Sequence, residues 1–402
     1  MARSRLRSAL IVTAFGFAAI AAPALAGPGV SADKVVFGQA AALDGPAAAL
    51  GQDIRTGILA AFAEANKAGG VKGRRLELIS RDDGYDPGKS IETTRQLISE
   101  DQVFALIGPV GTPTSAATQP IAAEAGVPFI APLTGAEFLR TPFKPNVINV
   151  RASYYQEAEA MVERLTKDRA VERIAILYQD DAFGRAGFAG VQRALEKRGM
   201  KLAAEGTYER NTTAVKRALL DIRKGNPQAV IIFGTYKPAA EFIRLSKLVK
   251  MDAIFIAGSF VGTNALAKEL GPAGAGVFVM QVVPFPGDTS VTLVARYQAA
   301  LKAQDQAAVP GFVSLEGYIA GRLVIACLEK LDGEPTRQAL LDRILSGPID
   351  LQGIKLQYGP SDNRGSQDVF FTVIGADGSV IPVTNLAVAS GSWAASTNTA
   401  AR

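Results

Sequence analysis

The 402-residue sequence has no histidine and one cysteine, Cys327. The first absence excludes Ser-His-Asp and Cys-His catalysis and every His-ligated zinc site. The second excludes an intramolecular disulfide, and the apolar run LVIACL around Cys327 marks a buried structural thiol rather than a nucleophile. Long apolar runs are scarce as well. The one from Ala9 to Ala22 is shorter than the roughly 18 residues a membrane span needs. It follows Arg3, Arg5 and Arg7 and leads into Pro23, Ala24, Leu25 and Ala26, the pattern of a secretory signal peptide with an A-x-A site. Residues 1–26 are therefore expected to be removed. No cysteine at the cut gives a lipid anchor a foothold, so the mature chain is expected in the periplasm, soluble and monomeric.

A large excess of either charge is also missing. Lys and Arg number 43 against 38 Asp and Glu, and the net +5 falls to +2 once Arg3, Arg5 and Arg7 leave with the signal segment. No basic stripe with interleaved aromatics is present, which weighs against nucleic acid as a partner. Removing 26 of 402 residues still leaves more chain than one hydrophobic core usually holds, so two lobes are expected.

What is present is a repeated alternation. Short β-rich runs (KVVFGQAAA, RRLELISRDD, VFALIGPV, PFIAPL, VINVRAS, RIAILYQDD, KLAAEGTYER, AVIIFGTY, AIFIAGS, GVFVMQVVP) are separated by amphipathic segments of helical length. Ala158, Met161, Val162 and Leu165 mark one buried helix face. Helices should stop at AGG (68–70), at Gly126 and at RGM (198–200). Such β-α-β repetition predicts an α/β fold with parallel-rich sheets covered by helices on both faces. After about residue 285 the pattern changes to consecutive helices, then a final pair of strand segments, IKLQYG and DVFFTVIGADGSVIPV, with an ADGS turn. Residues 384–402 show no periodicity and are read as a tail without a core role.

Ligands of parallel sheets gather beyond the carboxyl ends of the strands. There the sequence places GPVGTPTSAATQP (108–120), rich in glycine and small hydroxyls. A phosphate loop would need a GK[ST] ending, and no lysine lies in the segment. A Ser115 nucleophile would need a Ser-Lys pair, and no SxxK stands there. Two readings remain: helix capping by Thr112 ahead of Pro113, or that cap with an anion bound on it. Pro120 must either kink the helix or mark its true start. Asp82, Asp83 and Asp86 lack the spacing of a calcium loop, and Asp86 before Pro87 reads as an N-cap. Asp180 and Asp181 are adjacent on a strand end and face opposite ways, so a cap or ligand contact is preferred to an acid pair for glycoside hydrolysis. No metal or cofactor is called for.

The stretches LDGPAAALG, ANKAGGVKGRRLELISRDDGYDP, TQPIAAEAGVPFIAP and RIAILYQDDAFGRAG, in this order and spacing, resemble the leucine/isoleucine/valine-binding proteins of bacterial ABC importers. The resemblance runs from about Lys34 to Val383. It implies a type I periplasmic binding fold: two Rossmann-like lobes joined by three hinge strands and closing on one small solute. Lobe one would take residues 27–151 and 285–360, lobe two 152–284 and 361–383. By the same resemblance the solute carboxylate would meet Thr112 and the loop Leu133, Thr134 and Gly135. Phe183 and Tyr236 of lobe two would close over it, with Leu50 of the first loop opposite. The family's disulfide positions fall on Tyr85 and Gly111. Tyr154 and Tyr155, just past the first hinge, either touch ligand or cover the hinge.

One departure bears on the solute. The amino-acid binders pair the ligand α-ammonium with an acid of lobe two, and the matching loop reads GSFVGTN, with Ser259 or Phe260 at that place. A buried ammonium without a charged partner is costly. Either another acid substitutes, Asp181 or Glu316, or the solute has no ammonium. The expectation is thus a solute receptor that captures a small carboxylate, amino acid or not, and delivers it to an ABC permease. The alternatives are a ligand-sensing regulatory subunit with the same fold or, least supported, an exported hydrolase.

Overall fold

The computed structural model describes residues 27–387. The expected signal segment and residues 388–402 of the expected tail lie outside them. Among the described residues no helix is long and apolar enough to cross a membrane.

The first half alternates strictly: β1 (Lys34–Ala41), α1 (Ala48–Lys67), β2 (Arg75–Asp82), α2 (Pro87–Ser99), β3 (Ala105–Ile107), α3 (Thr112–Glu124), β4 (Phe129–Ile130) and β5 (Val147–Ile148). These strands form one parallel sheet in the order β2-β1-β3-β4-β5. The chain then crosses to α4 (Tyr154–Arg169), β6 (Ile174–Gln179), α5 (Ala182–Glu196), β7 (Ala204–Tyr208), α6 (Lys216–Lys224), β8 (Ala229–Phe233), α7 (Tyr236–Leu248), β9 (Ile254–Ala257), α8 (Thr263–Leu270) and β10 (Phe278–Gln281). Their strands make a second parallel sheet, in which all five residues of β8 are buried, as a strand covered on both faces requires.

Three helices follow, α9 (Thr292–Gln304), α10 (Phe312–Glu329) and α11 (Arg337–Leu345). α10 lies against α1 of the first lobe so closely that side chains at the seam are excluded. A Cβ on Gly57 would sit 1.8 Å from Ser314 O, and one on Gly317 2.2 Å from Ile54 O. Cys327 of α10 is buried, and burial pushes its thiol up to about 12, which keeps it protonated and inert.

The last strands differ from expectation. Residues of IKLQYG do not pair with the ADGS segment. They form β12 (Lys355–Gly359) in a small antiparallel sheet with β11 (Ile349–Asp350) and β13 (Asp362–Gly365). β14 (Phe370–Ile374) and β15 (Val380–Val383) instead make a hairpin through the ADGS turn and extend the second sheet antiparallel beside β10. Asn149 N–H donates to Asn363 O at 2.9 Å, which ties β13 to the first lobe beside β5. The third crossing thus falls between β13 and β14, after the 360/361 boundary drawn from the sequence.

Helix ends show why these segments start where they do. The Asp86 side chain accepts from Lys89 N–H with Pro87 at the first helical position. Ser153 and Gln156 form a reciprocal capping box at α4, and Asp181 caps α5 by accepting from Phe183 N–H. α3 departs from expectation by one residue. Thr112 is its first helical residue, and the cap is Gly111 at φ 102°, a left-handed geometry that glycine alone adopts freely. Pro120 lies inside α3, which continues through it.

Candidate functional site

A parallel bridge between Val110 and Leu133 brings the loop after β3 against the loop after β4. Thr112 and Thr134, both buried, then place their hydroxyl oxygens 2.6 Å apart. Two hydroxyls carry two protons and the bond between them uses one, so a proton remains to donate outward. The start of α3 adds unpaired N–H groups and the positive end of a helix dipole. Tyr154 stands over the same loop: its N–H donates to Gly135 O at 2.7 Å, and its buried hydroxyl makes no hydrogen bond among the described residues. These groups bring hydroxyls and a helix N-terminus to one point of the fold.

Facing them is an aromatic wall. Phe183 packs on Phe260 with ring centroids 4.7 Å apart and on Tyr154 at 5.4 Å, and Tyr85 lies 6.0 Å from Phe260. Tyr85 comes from lobe one and Phe260 from lobe two, so the wall is assembled only when the lobes meet. Other contacts across the cleft agree with a closed arrangement. Gln179 donates to the Tyr85 hydroxyl at 3.2 Å, Asn211 to Gly84 O at 3.1 Å, and Ala49 N–H to the Tyr236 hydroxyl at 3.4 Å. Leu50 abuts Gly262, whose Cβ would lie 2.7 Å from the leucine Cδ2.

Behind the wall is a dry charge cluster. Arg151, 1 % exposed, sits between Glu157 at 3.3 Å and Glu316 at 3.5 Å. Glu157 also accepts from the Ser259 N–H and hydroxyl, each at 2.8 Å, while Arg151 itself donates to the Ser259 hydroxyl. Burial pulls the Arg151 guanidinium down, but Glu316 and Glu157 outweigh it and hold it above its ordinary range. Burial pushes Glu316 up, against the pull of Arg151 and with Glu157 adding to the rise. Arg140, buried beside them, directs its guanidinium to the carbonyls of Ala136 and Arg151 at 2.9 and 3.0 Å, and burial lowers it to about 10.

A family profile described as "Periplasmic binding protein" matches residues 34–379. The chain belongs to the periplasmic binding proteins. It is 26% identical over 334 residues to the leucine-, isoleucine-, valine-, threonine- and alanine-binding protein of Pseudomonas aeruginosa, covering 81% of this chain and 86% of that one. A crystal structure of a possible leucine/isoleucine/valine-binding protein from Rhodopirellula baltica matches at TM-score 0.84 and 36% identity, over 90% of this chain and 98% of that one. A substrate-binding periplasmic protein from Ralstonia solanacearum matches at TM-score 0.81 and 28% identity, over 87% and 99%. The fold is thus the type I periplasmic binding fold, and the family binds solutes and implies a periplasmic location.

In this periplasmic binding protein the positions singled out in the sequence fall into three groups. Thr112, Thr134, Gly135 and Tyr154 meet at the start of α3. Leu133 does not offer its N–H there, since it donates to Pro109 O at 2.8 Å and its side chain is core; the Thr134 N–H is likewise taken, by Pro132 O at 2.7 Å. Leu50, Phe183, Tyr236 and Phe260 line the lobe contact. Ser259 belongs to the charge cluster. Asp181 is occupied as a helix cap and by Gln179 at 2.6 Å, whereas Glu316 Oε1 has no hydrogen-bond partner among the described residues. At Tyr85 and Gly111, the family's disulfide positions, the tyrosine ring fills the space a Gly111 side chain would take, 2.3 Å from its Cβ. Sequence reasoning missed Arg151 and Glu157. The signal available was a lone arginine ending the apolar run VINVR, followed six residues later by an acid in a helix first turn.

Proposed function

We propose that this binding protein captures a small carboxylate-bearing solute by cleft closure and delivers it to an ABC permease. The observation that carries the reading is the Thr112–Thr134 hydroxyl pair at the start of α3, facing aromatics drawn from both lobes. The carboxylate takes the spare hydroxyl proton and the helix dipole, and the apolar body packs against Tyr85, Phe183 and Phe260. Because both lobes touch the solute only when closed, its binding favours the closed state by that differential contact. The lobe-two acid is absent at Ser259 and Phe260, and Glu157 behind them is already engaged by Ser259 and Arg151, which favours a solute without an α-ammonium.

A second reading is an α-amino acid. Its support is the amino-acid binding named for the Pseudomonas relative, together with Glu316 Oε1, which has no hydrogen-bond partner among the described residues and is an acceptor for an ammonium. A thermal-shift series of the purified protein with 4-methylpentanoate, 4-methylpentanamide, benzoate and leucine tests both. Stabilisation by the acids and not by the isosteric amide supports carboxylate recognition. Equal effects of acid and amide, or stabilisation by sugars or polyamines only, would sink it.

A further inference from the structure

The charge cluster around Arg151 is more than the hinge needs. One guanidinium stands between two carboxylates from opposite lobes: Glu157 in the first turn of α4 and Glu316 in α10. Glu157 accepts three hydrogen bonds there, from Ser259 on both oxygens and from Arg151 on one. Among the described residues Glu316 has only Arg151, at ion-pair rather than hydrogen-bond distance, and its Oε1 is buried without a donor. Arg140, the other cation facing it, is engaged with backbone carbonyls, and Tyr154 faces the cluster as a neutral phenol whose titration burial moves further up.

With both glutamates ionised, Arg140 and Arg151 balance Glu157 and Glu316 and the buried set is neutral. A solute carboxylate placed at Thr112 and Thr134 then adds an uncompensated charge to a site closed from water, and such charges cost several kcal/mol. Resting on the carboxylate reading above, we propose that Glu316 is the compensating group: it takes up a proton from solvent as the cleft closes on a monoanionic solute. The charged solute and the proton enter together, and the closed site stays neutral. Burial and the neighbouring Glu157 already push Glu316 toward its protonated form, so the uptake completes a shift that the fold begins. The sign follows from linkage. Binding is independent of pH below the Glu316 pKa of the solute-free protein and weakens about tenfold per pH unit above it. A solute with an α-ammonium would neutralise Glu316 itself and need no proton.

The test is calorimetric titration of the purified protein with 4-methylpentanoate and with leucine, from about pH 6 to about pH 9, in buffers of different ionisation enthalpy. Expected is uptake of about one proton per acid bound at the alkaline end, and for Glu316→Gln no uptake and an affinity flat with pH. If the acid binds wild type without proton uptake, or if Glu316→Gln takes up the proton as before, the proposal is overturned while carboxylate recognition stands. Binding of leucine but not of 4-methylpentanoate, lost in Glu316→Gln, overturns it in favour of an ammonium at Glu316. If no carboxylate of the panel binds, the functional reading falls and this inference with it. Should Glu316→Gln fail to fold by circular dichroism, the wild-type proton count alone decides.

Discussion

Replacing Thr112 by valine removes one hydroxyl and keeps the shape and β-branching of the side chain. In the solute-free protein the change deletes the 2.6 Å bond to Thr134, an ordinary neutral hydrogen bond that contributes about 1 kcal/mol. Thr134 keeps its other role, accepting from Ala136 N–H at 3.2 Å, so the loop stays formed. The bound state loses more. A hydrogen bond to a charged group contributes about 1.5–3 kcal/mol, so Kd for a carboxylate should rise about 10- to 100-fold. Thr134→Val is the control with the opposite balance. It leaves the Ala136 N–H without its acceptor, which adds about 1–3 kcal/mol of destabilisation before any solute is present. Calorimetric titration gives Kd, and urea unfolding of each ligand-free variant gives stability. Unchanged affinity in Thr112→Val, with the protein folded, would remove Thr112 from the site and refute its contact with the carboxylate.

Further tests reach the surrounding groups. Arg151→Met leaves Glu157 and Glu316 buried without their cation and should lower stability by about 3–5 kcal/mol in urea unfolding; a loss below about 1 kcal/mol would contradict the buried pairing. Tyr236→Ala should weaken solute binding by more than about 1 kcal/mol while leaving the ligand-free melting temperature little changed, and a strongly lowered melting point would assign the ring to the fold instead. Burial raises the Asp83 carboxyl to about 6, against the bonds it accepts from Ser90 and Tyr85. A raised carboxyl penalises the folded state above its folded pKa and is without effect below the unfolded one. Asp83→Asn should therefore be more stable than wild type near about pH 8, with the gap closing between about pH 6 and about pH 4. A gap of constant size across that range would show that ionisation is not its cause.

Much of the fold was legible because a doubly covered parallel sheet writes itself as apolar runs, and KVVFGQAAA, RIAILYQDD and AVIIFGTY each became a strand in place. Caps were legible where one side chain makes the contact, as at Asp86. Thr112 was misplaced by one residue because the turn is made by the backbone of Gly111, whose φ of 102° has no side-chain signature. The pairing of β12 with β11 and β13 was missed since IKLQYG and the ADGS hairpin read alike as exposed-edge strands. The charge cluster was the hardest part to read. Ser259 meets Glu157 across 102 positions, and neither residue alone shows that a carboxylate stands behind the loop that lacks one.

The central claim is that the closed cleft holds a small carboxylate. Native mass spectrometry of the freshly purified protein, with the released adduct identified and then titrated back against its amide, measures this directly. The account predicts that a carboxylic acid, returned alone, restores the adduct and that its amide does not. Retention of a sugar, a polyamine or a nucleotide, or equal return of acid and amide, would contradict it.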